Sequence, residues 1–278
     1  MIDAQSPRLP ALEAHDDLPD GCRASFAADG HVMLRGLATA EEVAAFRPAL
    51  EATAARRNRE RRAIAERDTY GAAFLQSFNL WRVDDVAKRF VWSPRFARAA
   101  AELLGVDGVR LYHDQALFKE AGGGHTPWHQ DQFYWPLDTE HTVTMWMPLV
   151  DLDPEVGSMT FASGSHRIGN LRGHAISDES EIELDRLVRQ DELPQHTYGA
   201  LRAGDATFHA GWTLHRAGAN PTDRMRPVMT VIYFADGARV SEPETAYQAF
   251  DLKVWLPGLE PGDAAASEIN PVLWSRQR

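Results

Sequence analysis

The chain has 278 residues, 44% of them apolar and 25% charged, with a formal net charge of −11. That is the composition of a soluble globular protein with a sizeable core, and the acidic balance disfavours nucleic acid as a partner. The one cysteine, Cys22, excludes an internal disulfide and any Cys-based zinc or iron–sulfur centre.

A reducing, cytoplasmic setting fits the cysteine usage. No apolar run reaches the ~18–20 residues that span a bilayer, so no membrane partner is expected. The N-terminus lacks a basic start and an apolar stretch, so it does not read as a signal peptide. In chain order, residues 1–20 are rich in Pro and Asp and read as a loose arm. Residues 21–105 read as a mostly helical front. There Thr39-Ala40-Glu41-Glu42 looks like an N-cap followed by early acids, and the helical pattern runs on to about Arg67. The run Arg56, Arg57, Arg59, Arg61 and Arg62 is interleaved with Glu60 and Glu66, which marks a solvated face rather than a phosphate site. Ser93-Pro94 opens a second helix that stops near Gly105.

From Gly108 the texture changes to short apolar or alternating runs broken by Gly, Pro, Asp and Asn. Strands are expected near 109–119, 127–135, 142–150, 158–162, 205–209, 213–217 and 226–234. Asp178–Asp191, with Ile182, Leu184, Leu187 and Val188 among acids, reads as an inserted helix. The pattern is mainly β with a helical front (α+β). A β core over 106–235 and a C-terminal extension over 236–278 complete a single domain of sandwich or barrel type.

The candidate chemistry lies in His129-Gln130-Asp131. On a strand, residues i and i+2 point the same way, so two metal ligands are delivered together. A reactive iron(II) site takes two imidazoles and one carboxylate on one face and keeps positions open opposite. His-x-Asp alone is weak, because His15-Asp16-Asp17 repeats it in the N-terminal arm. His129 differs in its flanks, Trp128, Phe133, Tyr134 and Trp135, which fit either an enclosed apolar cavity or a core strand with satisfied polar residues. The distal ligand is His209 or His215.

HTPWHQDQFYWPLD, TMWMPLVDLDPEVGSMTFASGSHR and LHRAGANPTDRMR, in that order and spacing, resemble the phytanoyl-CoA dioxygenase family over roughly residues 105–235. The resemblance implies a double-stranded β-helix, a jelly-roll or cupin-like barrel packed against the N-terminal helices. It also implies an oxygenase using iron(II), 2-oxoglutarate and O2 on a small-molecule substrate, with release of succinate and CO2. His129, Asp131 and His215 become the metal and catalytic residues. Arg226 follows His215 by 11 residues, the family's spacing for its 2-oxoglutarate-binding arginine, and a planar guanidinium holds a carboxylate by two parallel bonds. Gln115 and Trp146 match the co-substrate pocket. Asp131 argues against halogenation, since related halogenases replace this carboxylate with chloride.

His166 in the GSHR turn is read as structural. His125, His141, His174, Lys119, Trp128 and the Gly122-Gly123-Gly124 loop receive no role. Ala73–Trp81 and Phe133–Trp135 carry aromatics for a substrate pocket or for core. Gln132 stands where ectoine hydroxylases have Phe, and no basic cluster offers to bind a CoA phosphate. The expected substrate is therefore a small or medium organic molecule such as a natural-product intermediate. Hydroxylation is the leading outcome, with cyclisation, desaturation or epimerisation as alternatives. A cupin-like metalloenzyme without ketoacid and a non-catalytic binding module are the other classes, and the sequence sets no oligomeric state.

Overall fold

The computed structural model describes residues 9–13, 17–171 and 175–277. His15, Asp16 and His174 lie outside the described residues. The front half folds into α1 (Cys22–Asp29), β1 (His31–Leu34), α2 (Ala40–Arg57), α3 (Thr69–Ala73), β2 (Leu75–Phe78), α4 (Asp85–Val91) and α5 (Pro94–Leu104). The capping box at the start of α2 forms, with Thr39 Oγ1 accepting from Glu42 N and the Glu42 carboxylate accepting from Thr39 N. The helix stops at Arg57 rather than near Arg67. Asn58 turns extended, and the Glu60 carboxylate then accepts from Arg61 N at 2.9 Å and Arg62 N at 2.8 Å. These local bonds replace helical ones. The N-terminal arm is not wholly loose either: Leu12 is buried in the core, and its carbonyl accepts from Ser93 Oγ.

The second half supplies β3 (Gly108–Phe118), β4 (Thr126–His129), β5 (Thr142–Pro148), β6 (Met159–Ala162), α6 (Asp178–Gln190), β7 (Gln195–His196), β8 (Ala206–Ala210), β9 (His215–Ala217), β10 (Val228–Ala235), α7 (Ala246–Trp255) and β11 (Val272–Ser275). A seven-stranded antiparallel sheet runs β1-β8-β5-β10-β3-β11, with β2 also on β3. A four-stranded sheet runs β4-β9-β6-β7. Together they form the double-stranded β-helix, or jelly roll.

Strand alternation divides the buried residues between two environments. On β5, Val143, Met145 and Met147 join the apolar core shared with the helices, while Thr144 and Trp146 face the space between the sheets. Met229 and Val231 against Thr230 and Ile232 repeat the pattern on β10. Phe208 against His209 repeats it on β8. Helix α5 closes the outer side, with Ser93 capping its start and Gly105 (φ 70°) ending it in the left-handed region.

Two strand expectations change. The run near 127–135 is a strand only to His129, followed by a 3-10 turn over Asp131–Tyr134. Strands β1, β2, β7 and β11 and helix α7 lie where no such elements were expected. Their two- to four-residue strands carry too little period to stand out. Among the described residues no helix is long and apolar enough to cross a membrane.

Phe96 is fully buried on α5, between the helices and the larger sheet. Phe96→Ala is expected to lower stability by about 3–5 kcal/mol, read as a reduced urea midpoint with an unchanged slope.

Candidate active site

The strand pair β4–β9 sets His129 opposite His215 in register. Each ring is fixed by its own backbone neighbourhood. His129 Nδ1 lies 2.8 Å from Pro127 O, and His215 Nδ1 lies 2.9 Å from Thr213 O. Both Nδ1 atoms are thereby the protonated ones, which leaves each Nε2 with its lone pair free for a metal. Asp131 Oδ1 lies 3.7 Å from each of these Nε2 atoms. The three donor atoms fall within 4.8 Å of one another.

Asp131 does not sit on the strand itself. Gln130 is extended and carries the chain one residue beyond β4, so the same-side geometry of i and i+2 survives into the turn. The Gln130 amide is stapled there, donating to Gly169 O and Trp212 O and accepting from Leu171 N. Gln132 is stapled too, donating to Thr139 O and accepting from the Thr142 hydroxyl. Its departure from the ectoine-hydroxylase pattern is thus absorbed in the turn.

The second oxygen of Asp131 is held from behind. Thr144 Oγ1 donates to Oδ2 at 2.8 Å, and His209 Nε2 lies 3.2 Å from it. The rival ligand His209 therefore faces the oxygen turned away from His129 and His215. Its contact is with the carboxylate, from behind the three convergent donor atoms. Burial pushes the pKa values of His215 and His129 down, keeping both imidazoles neutral. Burial acts to raise that of Asp131, but the imidazoles of His215 and His209 outweigh it and hold the carboxyl well below its usual range. Two neutral imidazoles and one carboxylate on a single face match the donor chemistry of iron(II) with open positions.

The pocket over this face has a volume of about 570 Å³ and is also lined by Arg226, Gln115 and Trp146. All the site residues expected from the sequence thus meet in one cavity. Arg226 is 2% exposed. It donates to Gly157 O at 2.6 Å, lies over the Trp146 ring at 5.3 Å, and its Nε has no hydrogen-bond partner. Lys119 pairs with Arg226 across a β-bridge, is fully buried, and donates to Gly124 O at 2.5 Å. Burial lowers Arg226 to about 9, and burial together with the Arg226 charge lowers Lys119 to about 7. Neither forms an ion pair among the described residues. A buried guanidinium with an orphaned N–H is what a carboxylate of a dianionic ketoacid would compensate. Gln115 accepts from Gln76 through Oε1, which leaves its amide N–H group to donate.

The remaining sequence candidates resolve as follows. Trp128 points away from the ligands, and its indole N–H approaches Asp185 on α6 at 3.4 Å. His166 Nε2 lies 3.2 Å from Ala27 O, a structural contact. His125 and His141 are exposed. The triple-glycine loop lies against Lys119, with Gly124 O accepting from its ammonium group. Phe74, Gln76, Phe78, Tyr134 and Trp135 line the pocket. Sequence reasoning missed Thr144 and the carboxylate-holding role of His209, and it missed α7 as a pocket wall.

A family model described as phytanoyl-CoA dioxygenase (PhyH) matches residues 26–228. Phytanoyl-CoA dioxygenase domain-containing protein 1 of Danio rerio is 24% identical over 257 residues, covering 89% of this chain and 86% of that protein. Two solved structures are similar over nearly their whole length. The non-haem alpha-ketoglutarate-dependent carbocyclase SnoK from nogalamycin biosynthesis has a TM-score of 0.75 at 25% identity, covering 92% of this chain and 96% of its own. The epimerase SnoN, in complex with Fe3+, alpha-ketoglutarate and nogalamycin RO, has a TM-score of 0.74 at 29% identity, covering 91% of this chain and 97% of its own.

His215→Ala is expected to abolish stoichiometric iron(II) binding in anaerobic titrations. His209→Ala is expected to retain binding with affinity reduced by roughly 10–100-fold, as for loss of a group that orients a ligand.

Proposed function

The chain belongs to the phytanoyl-CoA dioxygenase family and is an iron- and 2-oxoglutarate-dependent oxygenase, and we propose that His129, Asp131 and His215 hold its iron while Arg226 anchors the far carboxylate of 2-oxoglutarate. The observation that carries this assignment is the buried Arg226, with an unpartnered Nε, in the same cavity as three convergent donor atoms. Iron(II) with 2-oxoglutarate supplies oxidation by O2 of a substrate C–H position, with release of succinate and CO2.

The protein's share is positional. Pro127 O and Thr213 O fix the two imidazole tautomers. Thr144 and His209 fix the carboxylate so that Oδ1 faces the metal position. Arg226 and the Gln115 amide orient the ketoacid, with Trp146 as its wall. The aromatic lining keeps bulk water from the reacting face.

The substrate is a small molecule, and we assign it to uncharged organic natural-product intermediates, with hydroxylation as the outcome. Ring closure or epimerisation is the second reading, favoured by the likeness to a carbocyclase and an epimerase. Product mass separates these outcomes: gain of one oxygen, loss of two hydrogens, or no change.

Anaerobic addition of 2-oxoglutarate to the iron(II)-loaded protein is expected to give a metal-to-ligand charge-transfer band, and absence of the band would sink the co-substrate assignment. Arg226→Ala is expected to raise the 2-oxoglutarate concentration for half-maximal band intensity at least 100-fold. Arg226→Lys is expected to restore little of it, because an ammonium lacks the bidentate fork.

A further inference from the structure

The pocket ends, on the side of α7, in a wall that neither the metal ligands nor Arg226 use. A β-bulge in β3 builds it. Ile232 of β10 pairs with His113 and Tyr233 pairs with Leu111, so the register skips Tyr112. The consecutive residues Tyr112 and His113 therefore both turn toward the interior. Tyr112 packs with Trp135 and Ile232, and His113 lines the pocket. Bulges beside active sites commonly re-aim side chains in this way.

Two polar groups on this wall are unusual for their burial. His113 is 3% exposed, and its Nδ1 has no hydrogen-bond partner. Asp251, on α7, is 7% exposed, accepts from the Tyr112 hydroxyl at 3.1 Å and from the Trp255 indole, and forms no ion pair among the described residues. Burial raises its pKa to about 7. A buried imidazole nitrogen left without a partner is costly and is characteristic of a site that a ligand completes.

The surroundings are flat and aromatic. The His113 ring lies 4.6 Å from Trp255 and 5.4 Å from Phe78, and Phe78 lies 5.0 Å from Trp255. At the mouth, α7 presents Tyr247 and Phe250, which are 51% and 60% exposed although both line the pocket. Among the described residues the lining carries Asp68, Asp131 and Asp251, and Arg226, the proposed ketoacid anchor, is its one Lys or Arg. Beyond Arg226, an anionic substrate would find no cation among these described lining residues.

We propose that His113 and Asp251 form a recognition pair for the hydroxyl-bearing edge of an uncharged, flat, multi-ring substrate, whose ring face stacks on Trp255 and Phe78 and is covered at the mouth by Tyr247 and Phe250. This assignment rests on the oxygenase reading above and names the substrate class of the same site. A pocket built to hydrogen-bond hydroxyls discriminates strongly against analogues that lack them, because its own buried groups are then unpaired.

The test uses protein loaded anaerobically with iron(II) and 2-oxoglutarate. Tryptophan-fluorescence titration compares 1,8-dihydroxyanthraquinone, anthraquinone and anthraquinone-2-sulfonate. The dihydroxy compound is expected to bind at least ten-fold tighter than either of the others. Asp251→Ala and His113→Phe should each erase most of that preference, whereas Phe250→Ala, at an exposed position, should weaken all three probes together. The charge-transfer band checks that each variant is folded and loaded before titration. Should Asp251→Ala fail that check, the probe comparison on unaltered protein and His113→Phe decide the matter. Equal binding of the three probes, tightest binding of the sulfonate, or an intact preference in the variants would overturn the recognition pair while the band leaves the oxygenase reading standing. A missing band in the unaltered protein removes both.

Discussion

The structure depends on one half-buried carboxylate. Asp131 is an anion enclosed between two sheets, and such a charge is tolerated only with several compensating contacts. Its Oδ2 is held by Thr144 from β5 and His209 from β8. Its Oδ1 faces His129 from β4 and His215 from β9. One side chain thus ties together strands of both sheets and sets the direction in which a metal is presented. The Gln130 and Gln132 staples serve the same end, since they hold the turn that brings Asp131 off the end of β4.

A second electrostatic feature mirrors the first. Arg226 and Lys119 put two buried basic groups side by side, each donating to a backbone carbonyl. Arg226 lines a cavity whose wall at α7 is aromatic and carries Asp251. These surroundings fit the division of labour proposed for the cavity: a dicarboxylate near Arg226 and an uncharged molecule against α7.

The sequence made some of this legible and hid the rest for identifiable reasons. His129 and Asp131 stood out by their aromatic flanks, and Arg226 by its distance from His215. All three lie in the cavity with Gln115 and Trp146. His209 was visible only as a rival, because a residue that braces a ligand carboxylate has the same chemistry as a ligand, and only its approach to Oδ2 tells the two apart. The end of α2 was misplaced because Glu60 offers local acceptors that a helical pattern does not register. The strand expected over 127–135 broke after His129, where side-chain amides rather than strand pairing fix the backbone. The pocket wall at Tyr112, His113 and α7 was beyond reach. It depends on a one-residue register shift and on a helix whose exposed aromatics read as surface until the cavity beside them is seen.

The central claim is that a single cavity holds iron on His129, Asp131 and His215 and the ketoacid on Arg226. An anaerobic crystal structure of the protein with iron(II) and 2-oxoglutarate tests it most directly. The account predicts metal density contacted by His129 Nε2, Asp131 Oδ1 and His215 Nε2, with the far carboxylate of the ketoacid against the Arg226 guanidinium. Metal bound through His209 in place of His215, or a ketoacid carboxylate held away from Arg226, would contradict it.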